Sequence, residues 1–497
     1  MEKAARSAGI LMPLFSLPSP YGIGTMGSEA REFVDFLCAA GQKYWQMLPA
    51  GPISYGDSPY QSFSSFAGNP YYVDLEILIR DGLLTKKEAD AADFGDDPDK
   101  VDYGKLYENR LGLLKKAAER GIPRDREALD AFIRDKAWLP DYALFMALKQ
   151  HYDMRPWTEW PDEDIRLHQP EACARWNKEL FEDVEVFEYI QFLFYKQWND
   201  LKTYANEAGI SIIGDIPIYI ALDSAEVWAE PHWFQLDEKK LPKEVAGVPP
   251  DLFTEDGQLW GNPLYDWDVM KEDGFGWWIR RIAGMGELFD VIRIDHFRGF
   301  ESYFAIPYGD TTARRGRWVK GPGIALINTL KDHFPDLDFI AEDLGYSTPE
   351  VRQLLEDSGF PGMKLLQCAF DVQKIAAFLP HNYITNCICY TGTHDNHTLE
   401  GWLAIADEEE LAEAKRYFGL NKEEGYARGV IRAGMSSVAG LFVAQMQDWL
   451  GLGDEARINA PGIPSGNWTW RMRSGAATEE LAEEILSTTR LYGRTTK

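Results

Sequence analysis

A chain of 497 residues with a formal net charge of -28 and five cysteines excludes several classes of protein at once. That charge repels phosphate polymers and anionic membranes, so no nucleic-acid or lipid-surface partner is expected. The thiols are too few and too scattered for a disulfide framework, and no apolar run reaches the roughly 20 residues that span a bilayer. Pro13, Pro18 and Pro20 interrupt the first segment before any sustained apolar stretch, so no secretion signal is expected and the chain is placed in the cytoplasm.

In chain order, residues 27–41 (GSEAREFVDFLCAAG) read as a helix. Ser28 is the candidate N-cap, Phe33, Phe36, Leu37 and Ala40 form the apolar stripe, and Gly41 is the stop. A strand, YWQMLP, follows at 44–49. Residues from about 75 to 180 are rich in Lys, Glu and Asp, helical in pattern and without convincing strands, and read as an inserted helical subdomain. A helix over 184–208 ends at Gly209, and ISIIGDIPIYI is a strand whose continuous apolar run implies burial on both faces.

Residues from about 230 to 266 read as a second insertion. FDVIRIDHF, DFIAEDLG, MKLLQCAF, CICYTGTHD and GLFVAQMQDWL are further strands, separated by helical stretches. With GILMPLF they complete eight strands alternating with helices. The fold expected is α/β: a single (β/α)8 barrel with inserted, mostly helical subdomains around its C-terminal face. Cys387 and Cys389 share one strand face among apolar neighbours with no second pair, so they read as core rather than a zinc site.

In such a barrel the chemistry sits where apolar runs turn polar at the strand ends. That rule selects Asp215, Arg293, Asp295, Glu342, Asp343, His394 and Asp395. The set is rich in carboxylates and has neither a nucleotide loop nor a nucleophile elbow. Two facing carboxyls, one protonated and one ionised, equip a site for glycosidic bond chemistry. Arg293, two residues before Asp295 on the same strand face, is expected to hold Asp295 ionised as the nucleophile. Glu342, in an apolar context, is the candidate acid.

The bland alternatives are that Arg293 and Asp295 form a structural ion pair and that Asp395 caps a helix beginning near Thr398. Aromatic residues make up 13% of the chain, and many lie beside Gly, Pro, Asp and Asn, as in SYGDSPYQSFSSFAGNPYY and GQLWGNPLYDWD. Flat rings beside fixed polar groups suit sugars.

The motifs SPYQSFSSFAGNPY, GDIPIYIALDSAEVWA, GVPPDLFTEDGQLWGNP, RIDHFRGF, IAEDLG, GTHDN and GNWTWR resemble those of the 4-α-glucanotransferases, amylomaltase or disproportionating enzyme, of glycoside hydrolase family seventy-seven. The resemblance spans nearly the whole chain. It implies that Asp295 is the nucleophile, Glu342 the general acid/base and Asp395 the group that binds ring hydroxyls and stabilises the transition state. It also implies glucan contacts at Tyr60, Ser58 beside it, Asp215, Trp260, Arg293, His394 and Asn467, and a lid carrying Pro249, Pro250 and Asp251. Maltooligosaccharides and α-1,4-glucans are then donor and acceptor, with no cofactor, no metal and no obligatory protein partner.

Three rivals compete with this: a retaining α-glucan hydrolase using the same carboxylates, a metal-dependent hydrolase with His394, His397, Asp295 and His296 as ligands, and a non-catalytic glucan-binding scaffold.

Overall fold

The computed structural model describes residues 6–54, 56–250, 255–345, 347–370, 376–463 and 465–495. Among these, eight parallel strands close into a barrel: β1 (Ser7–Leu11), β2 (Tyr44–Gln46), β3 (Ser211–Ile216), β4 (Val291–Ile294), β5 (Asp338–Ala341), β6 (Gly362–Leu365), β7 (Cys387–Tyr390) and β8 (Leu441–Gln445). Six lie inside the expected strands, while β1 starts two residues before GILMPLF and β6 one residue before MKLLQCAF. Most are shorter than expected, because the polar residues that end each apolar run leave the ladder for the loops at the barrel mouth.

The alternation of the strands divides the core in two. Leu11, Ile213, Val291, Ile340, Ile388 and Val443 fill the barrel interior as a cluster of their own. Ile292 and Ile294 point outward into the larger core beneath the helices, where both are fully buried. Burying an aliphatic side chain of this size contributes about 1.5–3 kcal/mol. The helix Phe181–Glu207 packs on the barrel from this outer side, starting three residues before its expected position.

The helix Ser28–Ala39 starts one residue earlier than its expected cap allows. Gly27 is the N-cap and Ser28 the first helical residue, its hydroxyl bonded to Glu29. A Cβ at position 27 would lie 2.2 Å from the Asp74 carboxylate, so the chain needs glycine there and the serine is displaced into the helix.

Residues 75–179 carry α-helices, the longest being Tyr103–Asp135. A four-stranded antiparallel sheet, unexpected from the sequence, runs in the order Gln258–Pro263, Glu244–Val248, Ser302–Pro307, Arg317–Lys320. Its central pairing joins Glu244–Val248 to Ser302–Pro307, far apart in the chain, so no single window of sequence shows the whole sheet.

Candidate active site

Following β3, β4 and β5 toward their C-terminal ends, the inward positions change from apolar to charged. Ile213 gives way to Asp215, Val291 to Arg293 and then Asp295, and Ile340 to Glu342. The β3–β4 register sets Asp215 opposite Arg293. Arg293 Nη1 lies 2.6 Å from both oxygens of Asp215 and 3.2 Å from Asp295 Oδ1. The Asp215 side chain is fully enclosed, whereas that of Asp295 is 27% exposed to the cleft. The structural ion pair is therefore Asp215–Arg293, and Asp295 stands at its open end.

Backbone bonds set Asp295 and Glu342 side by side. The Asp295 N–H donates to Ile216 O at 2.9 Å and the Glu342 N–H to Ile294 O at 3.0 Å, which carries the parallel ladder past the strand ends. His296 then turns left-handed, with φ of 51°. This conformation is uncommon outside glycine, and here it aims the His296 N–H at Glu342 Oε2, 2.7 Å away. The Leu344 N–H donates to Oε1 at 3.1 Å, and the Phe297 N–H to the Glu342 carbonyl at 3.1 Å.

Burial pushes the Glu342 carboxyl up to about 7, against the pull of Arg293 and these two backbone donors. Burial also raises Asp295 above the usual carboxylate range, opposed by Arg293, while Asp215, Glu342 and Asp395 add to the rise. The expectation that Arg293 holds Asp295 ionised is met only in part: its charge opposes the rise, but burial outweighs it, and its nearer contacts go to Asp215. The charge of each of these neighbouring carboxyls disfavours the charge of the other.

Of the other strand-end residues, Asp343 turns away from the cleft. It accepts the Met363 N–H at 2.7 Å and lies 3.7 Å from Lys364. Gly362 makes room for it, since a Cβ there would come within 2.8 Å of the carboxylate.

Asp395 lies across the cleft on the turn after β7. Asn459 Nδ2 donates to its Oδ1 at 2.6 Å, and His394 Nε2 is 3.4 Å from the same oxygen. The helix Leu399–Ile405 is capped by Thr398, whose hydroxyl accepts the Gly401 N–H, so Asp395 is not needed as a cap.

Tyr60 stacks on His394 with ring centroids 5.1 Å apart and donates its hydroxyl to Asp215 at 2.7 Å. Burial holds His394 below the usual histidine range, which keeps the ring neutral beside these carboxylates. Trp260 sits edge-on to His296 at 4.9 Å and donates to Gln258. Burial pushes His296 down to about 3, with help from the charge of Arg298. His397 pairs instead with Asp454. The histidines proposed as metal ligands thus have separate partners, and no group of three or more His, Cys, Asp or Glu is arranged to hold a metal among the described residues.

Tyr60, Trp260, Arg293, Asp295, His296, Glu342, His394 and Asp395 line one cleft of about 2240 Å³ with Ser58, Asn467 and Pro249, whereas Asp215, Asp343 and His397 do not. The Ser58 hydroxyl accepts the Tyr60 N–H at 3.2 Å, fixing the turn that presents the ring. Asn467 accepts from the Ala460 N–H and donates to Ile463 O, so its amide closes its own loop. Asp251 lies outside the described residues. Sequence reasoning missed Asn459, Trp468 and Trp318 as lining residues, and it assigned no role to Arg298. The guanidinium of Arg298 lies 3.8 Å from the centre of the Trp318 ring, which belongs to the unexpected sheet.

A parallel eight-stranded barrel with a long aromatic cleft and a carboxylate cluster at its strand ends defines a (β/α)8 carbohydrate-active enzyme. The family model described as 4-alpha-glucanotransferase, of glycoside hydrolase family 77, matches residues 12–478, and the chain belongs to that family. A 4-alpha-glucanotransferase of Clostridium butyricum is 49% identical over 486 residues, covering 97% of this chain and 100% of that one. One from Thermus thermophilus is 49% identical over 487 residues, covering 96% of each. Among solved structures, an amylomaltase from Streptococcus agalactiae in complex with acarbose superimposes with a TM-score of 0.97 at 42% identity, covering 99% of this chain and 100% of that one.

Proposed function

We propose that the protein transfers α-1,4-glucan segments between maltooligosaccharides, or glucans derived from starch or glycogen, by a retaining double displacement. The observation that carries this is the backbone-locked pair Asp295 and Glu342, with Asp295 touching Arg293 and Glu342 raised to about 7. The pair shares a proton. With that proton on Glu342, the Arg293 contact stabilises the anion on Asp295, which attacks the anomeric carbon as Glu342 protonates the departing glycosidic oxygen. In the second step Glu342 takes the proton of an acceptor hydroxyl, whose oxygen displaces Asp295 from the same face. Retention requires carboxyls roughly 5–5.5 Å apart, close enough for direct attack without an intervening water.

Asp395 binds hydroxyls of the reacting ring from the other wall. Tyr60, Trp260, Asn467 and Ser58 shape the sugar path, Asp215 and Arg293 set the charge beneath it, and His394 adds a neutral polar wall. The 75–180 region is an insertion that extends the cleft. The 230–266 insertion supplies the lid, whose sequence carries Pro249 and Asp251.

Transfer demands that a millimolar acceptor compete with roughly 55 M water, a preference of about 5–6 kcal/mol. Aromatic acceptor contacts and a closing lid are the sources that the cleft offers. The enzyme is placed in the cytoplasm, consistent with five free cysteines and with no described helix long and apolar enough to cross a membrane.

Incubation with pure maltotriose tests the proposal. Longer oligosaccharides together with glucose are expected. Glucose and maltose alone mean the hydrolase, and no turnover means a binding scaffold.

A further inference from the structure

One segment away from the strand ends grips the turn that carries Asp395. Residues 454–459 bond to His394, Asp395, His397 and Thr398. The Asn459 N–H donates to His394 O at 3.0 Å, and Arg457 Nη2 donates to Asp395 O at 2.8 Å. Asp454 accepts from the Thr398 N–H and lies 2.5 Å from His397 Nδ1. Arg457 Nε also donates to Asn459 O at 2.7 Å, bracing the segment that does the gripping.

Asn459 is where this clamp reaches the carboxylate itself, donating to Asp395 Oδ1 at 2.6 Å. His394 approaches that same oxygen at 3.4 Å. The residue after Asn459 opens the loop closed by Asn467, and that loop returns at Trp468, whose N–H donates to Ile458 O at 2.7 Å. Trp468 holds a left-handed backbone, with φ of 64°, and its ring lies 5.8 Å from that of Tyr60. The wall of the sugar cleft and the setting of Asp395 therefore share one anchor.

We infer that Asn459 is a positioning residue: its amide locks the Asp395 carboxylate in the rotamer that meets the hydroxyls of the reacting ring, and ties that rotamer to the 460–468 loop. The inference rests on the role proposed above for Asp395. An aspartate on a loop has two free side-chain torsions, and a misplacement of about 1 Å at a reacting centre costs on the order of 10²-fold in rate. Binding of the remaining sugar rings does not pass through this contact, so the loss belongs in kcat rather than KM.

The test uses the full chain with maltotriose and three variants: Asn459→Leu, Asn459→Asp and Asp395→Asn. Asn459→Leu is expected to lower kcat about 10²-fold with KM within about threefold. Asn459→Asp sets two carboxyls against each other, which raises one of them. Above that raised pKa both are charged and repel. Below it the pair holds a proton and an O–H replaces the lost N–H donor.

The ratio of Asn459→Asp to Asn459→Leu activity should thus rise as pH falls. The other groups that act on Asp395 electrostatically, His394, Tyr60, Arg457 and Asp295, are the same in both variants, so the ratio isolates the new pair. The inference is overturned if Asn459→Leu keeps kcat within twofold while Asp395→Asn abolishes it, or if the ratio is flat with pH and both variants merely melt earlier. Should Asp395→Asn itself keep full turnover, the reading beneath the inference falls, and the inference with it.

Discussion

The two walls of the cleft hold their carboxylates by different means. Asp295 and Glu342 stand on consecutive barrel strands, and main-chain bonds that continue the β ladder set their spacing. Asp395 stands on a turn whose shape depends on side chains from a segment some 60 residues later in the chain, Asn459 and Arg457 chief among them. A ladder tolerates substitution of the residues around it, because backbone bonds persist whatever the side chain. A side-chain clamp does not. The wall proposed to supply the bond-breaking chemistry is thus built into the fold, and the wall proposed to support the transition state is adjustable through single residues.

Substitutions ranked by effect can break or sharpen this contrast. Asp295→Asn should cost the most, lowering maltotriose turnover by about 10⁴-fold or more while leaving the melting temperature nearly unchanged. Turnover kept above a hundredth of wild type would mean that the ladder-held wall does not carry the nucleophile. Glu342→Gln comes next, with a loss on the order of 10²–10⁴-fold. A glucosyl fluoride donor, whose leaving group needs no proton, should form the glycosyl-enzyme in this variant at close to the normal rate. A failure to do so argues against the acid role.

The same residue sets a pH limb. Because burial raises Glu342 to about 7, the donated proton is present below that value and lost as pH rises through it. Single-turnover cleavage of maltotriose should therefore fall on the alkaline side of about 7. With the fluoride donor that limb should vanish, since no proton is donated.

On the loop-borne wall the steps are smaller. Asp454→Ala leaves the His397 ring with Arg457 alone and frees the Thr398 N–H but keeps Asn459 on Asp395, so kcat should drop only about tenfold. A loss as large as that of Asp295→Asn would erase the distinction between the walls. Thr398→Ala removes a helix cap alone and should cost about 1 kcal/mol in denaturant unfolding, with kcat changed less than twofold.

The eight barrel strands were legible because each is a short apolar run that ends in polar residues, a local pattern that hydrophobic burial imposes on any parallel sheet. The strand-end rule that selected Asp215, Arg293, Asp295, Glu342, His394 and Asp395 works for the same reason. It also selected Asp343, which faces outward: an adjacent residue on a strand end points to the opposite side, but the curl of the chain after β5 decides how far that alternation holds. Resemblance to a known family supplied the roles that periodicity cannot.

What the sequence alone determined is therefore the order of the barrel strands and most of the inward polar positions at their ends, both consequences of one-dimensional periodicity. Tertiary structure decided how charge is divided among those positions. Arg293 reaches Asp215 across 78 residues of chain as well as Asp295 two residues on, and it sits closer to the distant partner. The central pairing of the antiparallel sheet and the Asn459 grip on Asp395 likewise join residues separated by about 60 positions. Such contacts leave no periodic trace, because they are selected by proximity in the closed barrel and not by neighbours in the chain.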